Sequence, residues 1–295
     1  MTTTVSLYTI ASAVVAAENA FLGPDRVWRY VSSLQERFIS RLGHLIPDLV
    51  HVPELETMAA LSEEPINAFL RERKFNIQLD PFPKVNPPER AWGAASVLDL
   101  TVRWALSGKP IDMVARDGES YKAAELSRDT VSVFQPSNHN RPVAQIRTQT
   151  GDTVFMTVCE EQLELFDLLD KVRNISREDK EHLSYSRLIF PTVNLDHHVD
   201  ISWLKRMWTV DDQGYTNFIT QALQQTKLKL NHIGARVKDA VAICGIRETS
   251  FKPDAPLVID RPFLFWIERP RLYFPLFAAR ITEEVWKDSG SLEDM

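Results

Sequence analysis

The chain has 295 residues, of which 44% are hydrophobic and 25% charged, enough to build a sizeable core in an ordinary globular protein. Its net charge of -6, with Lys and Arg dispersed along the sequence, excludes a broad basic face for nucleic acid. Two cysteines, Cys159 and Cys244, make neither a disulfide framework nor a metal-ligand spacing. They fit a reducing compartment or an extracellular protein that is stable without bridges.

The first residues, Thr3 to Ile10, have the β-branched character of a strand. The N-terminus lacks a basic region, and Glu18 and Asn19 end its apolar run, so only a weak leader-like reading of Ile10 to Ala17 remains. Gly23, Pro24 and Asp25 open a predicted helix, with Asp25 as its cap and Val27, Trp28, Val31, Leu34, Phe38 and Leu42 on one face. A short helix follows Ser62, with Pro65 early and Ile66, Phe69 and Leu70 facing inward. Four prolines between Pro81 and Pro88 mark a loop. Ala94 to Leu106 is apolar enough for a buried strand.

Val143 to Ile146 and Thr153 to Val158 are predicted strands. Gln162 to Val172 is a predicted amphipathic helix burying Leu163, Phe166, Leu169 and Val172. Asp200 caps a further predicted helix with Ile201, Leu204 and Met207. Leu257 to Ile281 is strand-rich, and its aromatics alternate as in a barrel-like sheet pair. Strands and helices mix without regular βαβ alternation, which predicts an α+β fold with large, mainly antiparallel sheets.

No enzyme chemistry emerges. There is no Gly-x-Ser-x-Gly elbow, no phosphate-binding loop and no dinucleotide fingerprint. His197 and His198 are adjacent, and on a strand they point to opposite faces, so no metal site is expected. No apolar stretch is long enough to span a bilayer. Asn174-Ile-Ser176 fits a glycosylation sequon.

The sequence Asp260-Arg-Pro-Phe-Leu-Phe-Trp-Ile267 resembles the serpin signature near the C-terminus, and Arg271 to Ile281 resembles that family's last buried strand. Leu188 to Pro191, followed by Asp200 to Met207, is similar to the serpin strand that leads into a short helix. Phe218 to Asn231 looks like the strand feeding the reactive loop, and Gly234 stands where the family has its hinge glycine. The span from Asn231 to Phe263 accommodates a loop of the family's usual length. Ile66 to Leu70 and Ala94 to Trp104 resemble the helix crossing the main sheet and a central strand of that sheet. The family's first four helices find no counterpart, so the resemblance implies one serpin-like domain over 1–295, shortened at its N-terminus.

That resemblance implies a protease inhibitor with an exposed bait loop, not an enzyme, with no cofactor. Gly234, Ala235, Arg236 and Val237 would form the hinge. Arg247, Glu248 and Thr249 would flank the scissile bond, unless Arg247 and Glu248 are simply solvated loop charges. The partner would be a protease, serine-type by family, or another protein ligand; the resemblance implies the extracellular space, while the absence of a clear leader leaves the cytoplasm open. A non-inhibitory binding or carrier protein is the other reading. On this resemblance residues 94–104, 188–191 and 219–231 should share one large sheet, with 257–281 in a second. The family's His and Lys in the loop-feeding strand are replaced by Gln224 and Gln225, its central-strand Asn by Asp99, and its acidic pair before the hinge by His232 and Ile233. Within the loop, Ala235, Val237, Asp239, Val241 and Ile243 share one parity, which places a carboxylate among apolar residues. Weak inhibition is therefore expected.

Overall fold

A computed structural model describes residues 1–83, 91–235 and 255–292. In chain order it begins with β1 (Thr3–Val5), α1 (Leu7–Ala17), α2 (Ser33–Asp48), β2 (Leu55–Ala60), α3 (Glu63–Glu72), β3 (Gly93–Leu98) and β4 (Val102–Arg103). Next come β5 (Lys109–Val114), β6 (Ser120–Ser127), β7 (Val131–Pro136), β8 (Val143–Arg147), β9 (Thr153–Val158), α4 (Leu165–Arg177), β10 (Lys180–Leu183) and β11 (Arg187–Pro191). The remainder is β12 (Val193–Val199), β13 (Trp208–Val210), β14 (Thr216–Phe218), β15 (Gln224–Leu230), β16 (Gly234–Ala235), β17 (Leu257–Val258), β18 (Phe263–Glu268) and β19 (Phe277–Ile281).

The largest sheet has seven strands in the order β1-β19-β18-β9-β8-β7-β10, all antiparallel. The first strand of the chain thus pairs with the last, Thr4 opposite Ala279. The C-terminal aromatics form core, as their pattern predicts, except Tyr273, which is exposed. Phe263, Leu264, Phe265, Trp266 and Ile267 are all buried, because the strand is covered on both faces. Trp266 illustrates one face, stacking on Phe155 at 5.0 Å and donating Nε1–H to Ser176 Oγ of α4 at 3.1 Å. A second sheet has the order β17-β11-β6-β5, with β17 parallel to β11.

One strand prediction and two helical predictions are shifted, the strand being confined to Thr3–Val5. The segment after Ser6 is helix, not strand. Its alanines favour helix, and an apolar run this short cannot be assigned by periodicity alone. Helix α1 is buried on nearly every side, which explains the absence of a polar stripe. α2 starts at Ser33, not beside Asp25. Ser32 is its cap, accepting from Gln35 N, while Asp25 takes a left-handed φ of 56°. Residues 27–31 instead run across the hairpin β13–β14, with an isolated bridge between Arg29 and Trp208. Asp200 accepts from Ser202 N at 2.8 Å but caps only a single 3-10 turn, Ser202–Leu204. α3 and α4 lie where predicted and bury the predicted Ile66, Phe69, Leu70, Phe166, Leu169 and Val172.

The expected single main sheet is not formed. β11 belongs to the four-stranded sheet, and Leu257–Val258 joins it there instead of the C-terminal sheet. The 94–104 strand breaks between Leu98 and Val102, giving β3 and β4. β3 pairs with β2, and β15 pairs with β12, so two separate two-stranded antiparallel sheets are formed. Leu188 and Phe190 are fully buried, and that buried face fixes β11 against β6.

Candidate functional site

The candidate site is the gap between these two strand pairs and the turn that follows β15. At the end of β15 the chain reverses within two residues, His232 and Ile233, since Asn231 N–H donates to Gly234 O at 3.1 Å. Buried Asn231 makes this turn. Its Oδ1 accepts from Ile233 N at 2.9 Å and from Gly234 N at 3.4 Å. Trp104, fully buried, braces the turn from below. Its indole donates to Asn231 O at 2.9 Å and its backbone N–H to Ile233 O at 3.3 Å. Gly108 N–H donates to His232 O at 2.6 Å. Burial holds the His232 imidazole below its usual pKa range. His232 and Ile233 therefore serve as turn residues, a role their side chains did not reveal.

After the turn, β16 pairs antiparallel with β4, Gly234 opposite Arg103 and Ala235 opposite Val102. Glycine is required here by contact. A Cβ at Gly234 would lie 2.4 Å from Val102 O and 2.9 Å from Arg103 Cα. Gly234→Val is expected to break this two-residue pairing, and hydrogen exchange at 102–103 and 235 measures it. Accelerated exchange confined to those amides is the expected result; unchanged protection would show that the close approach is not needed.

Below the hinge, β3 uses one edge on β2 and β15 one edge on β12. Their other edges border a cavity of about 930 Å³, floored by α1 through Ile10 and Val14. On β3, Ala94 and Leu98 pack with the main core while Ala95 and Val97 pack under α3, so Ala94, Ser96 and Leu98 share the inward face. On β15 the inward parity is Gln224, Thr226 and Leu228, marked by the Thr4–Thr226 hydroxyl contact at 3.3 Å.

Residues 74–82 form a strap over this gap, which the loop reading of the proline-rich stretch did not foresee. At its α3 end, Asn67 Oδ1 accepts from Leu79 N at 2.8 Å and Asn67 Nδ2 donates to Leu79 O at 3.0 Å. At its β15 end, Gln225 Oε1 accepts from Asn76 N at 2.7 Å, Gln221 Oε1 accepts from Asp80 N at 2.9 Å, and Lys227 Nζ donates to Lys74 O at 2.7 Å. Gln225 is buried and also donates to Asp196 of β12. The residue that departs from the family pattern thus bridges the strap and the β12–β15 pair. Asn67 and Gln225 are amides with both a donor and an acceptor, the only sequence feature that favoured such a strap.

No protein-family model and no curated protein matches the chain. Solved structures do. Human thyroxine-binding globulin, in complex with thyroxine, superposes with a TM-score of 0.59 at 14% identity over 95% of this chain and 91% of that one. The chain has the serpin fold. Serpin48 of the insect Tenebrio molitor, a highly specific serpin, gives a TM-score of 0.54 at 12% identity over 95% of this chain and 91% of its own. A serpin of the trematode Schistosoma haematobium gives 0.51 at 12% identity over 94% of this chain and 99% of its own. In this serpin fold, Gly234 and the Ala235 backbone lie at the mouth of the gap, whereas Arg236, Val237, Arg247, Glu248 and Thr249 fall outside the described residues. Among the described residues no group of three His, Cys, Asp or Glu gathers as a metal site, and no helix is long and apolar enough to cross a membrane.

Proposed function

We propose that this protein offers the chain between Ala235 and Leu257 as bait to a serine-type protease, with cleavage beside Arg247 or Glu248, and that the cut loop enters the gap between β3 and β15. The observation that carries this reading is the direction of β16. It leaves the turn antiparallel to β4, which follows β3 in the chain. Continuing that register would set Asp239 opposite Leu98, Val241 opposite Ser96 and Ile243 opposite Ala94. Directly opposed residues share a face, so all three would point into the cavity beneath. Two free strand edges would supply backbone hydrogen bonds to the entering strand on both sides.

Two features oppose full insertion. Asp239 would bring a carboxylate into a mostly apolar space, at a cost of several kcal/mol if unpaired. The strap joins α3 to β15 through Asn67 and Gln225, so widening the gap strains its hydrogen bonds. Slow insertion lets a protease complete hydrolysis and leave, making the protein more substrate than trap. A second reading, a non-inhibitory binding protein of serpin fold, is favoured by the strap and by the size of the cavity. Incubation with a panel of serine proteases tests the proposal. Cleavage confined to 247–249, with little or no SDS-stable complex, is expected. Cleavage elsewhere, or none by any protease, would sink the bait reading, and an abundant stable complex would overturn the weak-trap part of it.

A further inference from the structure

Residues 27–31 and the hairpin β13–β14 make a small three-strand unit. Arg29 and Trp208 exchange backbone hydrogen bonds of 2.7 and 3.1 Å, and Trp208 stands opposite Phe218. Directly opposed residues share a face, as do residues two apart on a strand. One face of the unit holds Trp28 and Thr209, both buried. The other holds Val27, Trp208, Val210 and Phe218 together with Arg29. The solvent face of an antiparallel sheet is ordinarily polar. Here Val27 is 73%, Val210 41% and Phe218 55% exposed, and exposed Val31, Leu34 and Tyr215 extend the apolar surface around them. A gathering of this kind marks a contact surface.

The charges name the partner. At the turn of the hairpin stand Asp211 and Asp212, with Asp25 beside them, and among the described residues only Asp212 has a cation, Arg26 at 2.7 Å. At the opposite end of β13 stand Lys205 and Arg206, both exposed and without an ion pair among the described residues. Asp200 and Glu36 neighbour that end, but accept from Ser202 N and the Tyr30 hydroxyl. Two such faces packed end for end would set Lys205 and Arg206 of each copy over the acidic turn of the other. Arg29 lies over its own Trp208 ring, 5.2 Å from the centroid, on an outer strand where water screens like charges. A bilayer would press the acidic turn against its head groups as well, so the pattern favours a second copy over a lipid surface.

We infer that this face pairs two copies of the chain, sheet on sheet and end for end, in a weak reversible dimer. The bait loop takes no part in it. The face spans about 13 Å along residues 27–31 and about 10 Å across three strands, well under the ~800 Å² per partner of a stable interface, so a dissociation constant of roughly 10–100 µM is expected.

Sedimentation equilibrium of the intact, uncut protein from about 1 to about 300 µM reads the pairing directly. A monomer–dimer equilibrium that reverses on dilution is expected, weakened about threefold when sodium chloride rises from about 0.05 to about 0.5 M. Val27→Ser and Val210→Ser should each weaken it about tenfold with the melting temperature unchanged, because both side chains are exposed in the single copy and neither lines the cavity. Lys205→Glu should weaken it at least about threefold. A monomer at every concentration in low salt, or a dimer indifferent to both serine variants, would overturn the pairing. A dimer indifferent to salt and to Lys205→Glu would overturn its end-for-end arrangement. Flotation with phosphatidylcholine–phosphatidylserine vesicles covers the lipid case: a monomer that floats with them, and no longer does so as Val27→Ser, would make the occupant a membrane and overturn the dimer.

Discussion

Cut at 247–249, the natural protein is expected to melt within a few degrees of its uncut temperature, whereas Asp239→Val cut at the same bond should melt at least ~10 °C above its own uncut form. The register that continues from β16 would place position 239 opposite Leu98, on the face that looks into the chamber. Entering as aspartate, that position loses hydration worth several kcal/mol; entering as valine, it instead gains about 1.5–3 kcal/mol of apolar burial. The difference is roughly 5 kcal/mol, and for a chain of this size each kcal/mol moves the midpoint by about 2–4 °C. The comparison needs no absolute account of loop ordering, because that cost is common to both proteins. A flat result for both would mean that the loop does not enter between β3 and β15. A large rise in the natural protein would mean that Asp239 finds a cation or stays hydrated there. Asp239→Asn separates these two, since it removes the charge and leaves the shape.

The parts of the fold legible in the sequence were those set by local pattern. α3 and α4 announced themselves through Ile66, Phe69 and Leu70 and through Phe166, Leu169 and Val172 at helical spacing. The resemblance around Arg261-Pro-Phe-Leu found the strand pair β18–β19, since a run of buried apolar residues is dense in information. Its aromatics are core as read, with both faces of β18 apolar because α4 and the core cover it. The α1 segment was misread since Leu7 to Ala17 is apolar all round and carries no period of its own. Val27 was taken as a core position and is 73% exposed, because the true helix begins at Ser33 and the earlier spacing was accidental.

Of the candidate site, the resemblance singled out Gly234 in advance. Gly234 could be found from its distance to the signature, and the structure supplies the reason: the Val102 carbonyl leaves no room for a Cβ. The separation of β3 from β15 was not legible, because strand pairing between residues so far apart in sequence leaves no local mark. Neither was the strap, whose contacts are backbone groups of residues 74–80 received by Asn67, Gln221, Gln225 and Lys227. Side-chain amides of this kind look like surface residues in a sequence. Here Gln225 is buried and has both ends of its amide engaged.

Removing the Arg269 side chain is expected to destabilise the protein about as severely as any single charged substitution can. Arg269 ends β18 and ties three distant parts of the chain together. Its Nε donates to Asp152 Oδ1 at 2.8 Å and one terminal nitrogen to Asp152 Oδ2 at 3.1 Å. The guanidinium also grips both oxygens of Glu54, at 2.6 and 2.8 Å, and the His51 carbonyl at 3.1 Å. The Asp152 side chain is only 2% exposed, so Arg269→Ala would leave a buried carboxylate without its cation. Breaking one partner of a buried pair costs about 3–5 kcal/mol. The expected result is a fall in the denaturant midpoint of that size. Arg269→Ala combined with Asp152→Ala should recover part of it, because no charge is then stranded. Acid dependence gives an independent check. Hydrogen bonds from Arg269 hold the Glu54 carboxyl below its usual range, against the opposing effect of burial. A depressed folded-state value adds stability that is present above the unfolded carboxyl pKa, near ~4.3, and is lost as the pH falls through the folded value. The natural protein should therefore lose stability through this window more steeply than Arg269→Ala. Equal acid slopes, or a midpoint unchanged in the single variant, would show that the Arg269 cluster holds these segments by packing and not by charge.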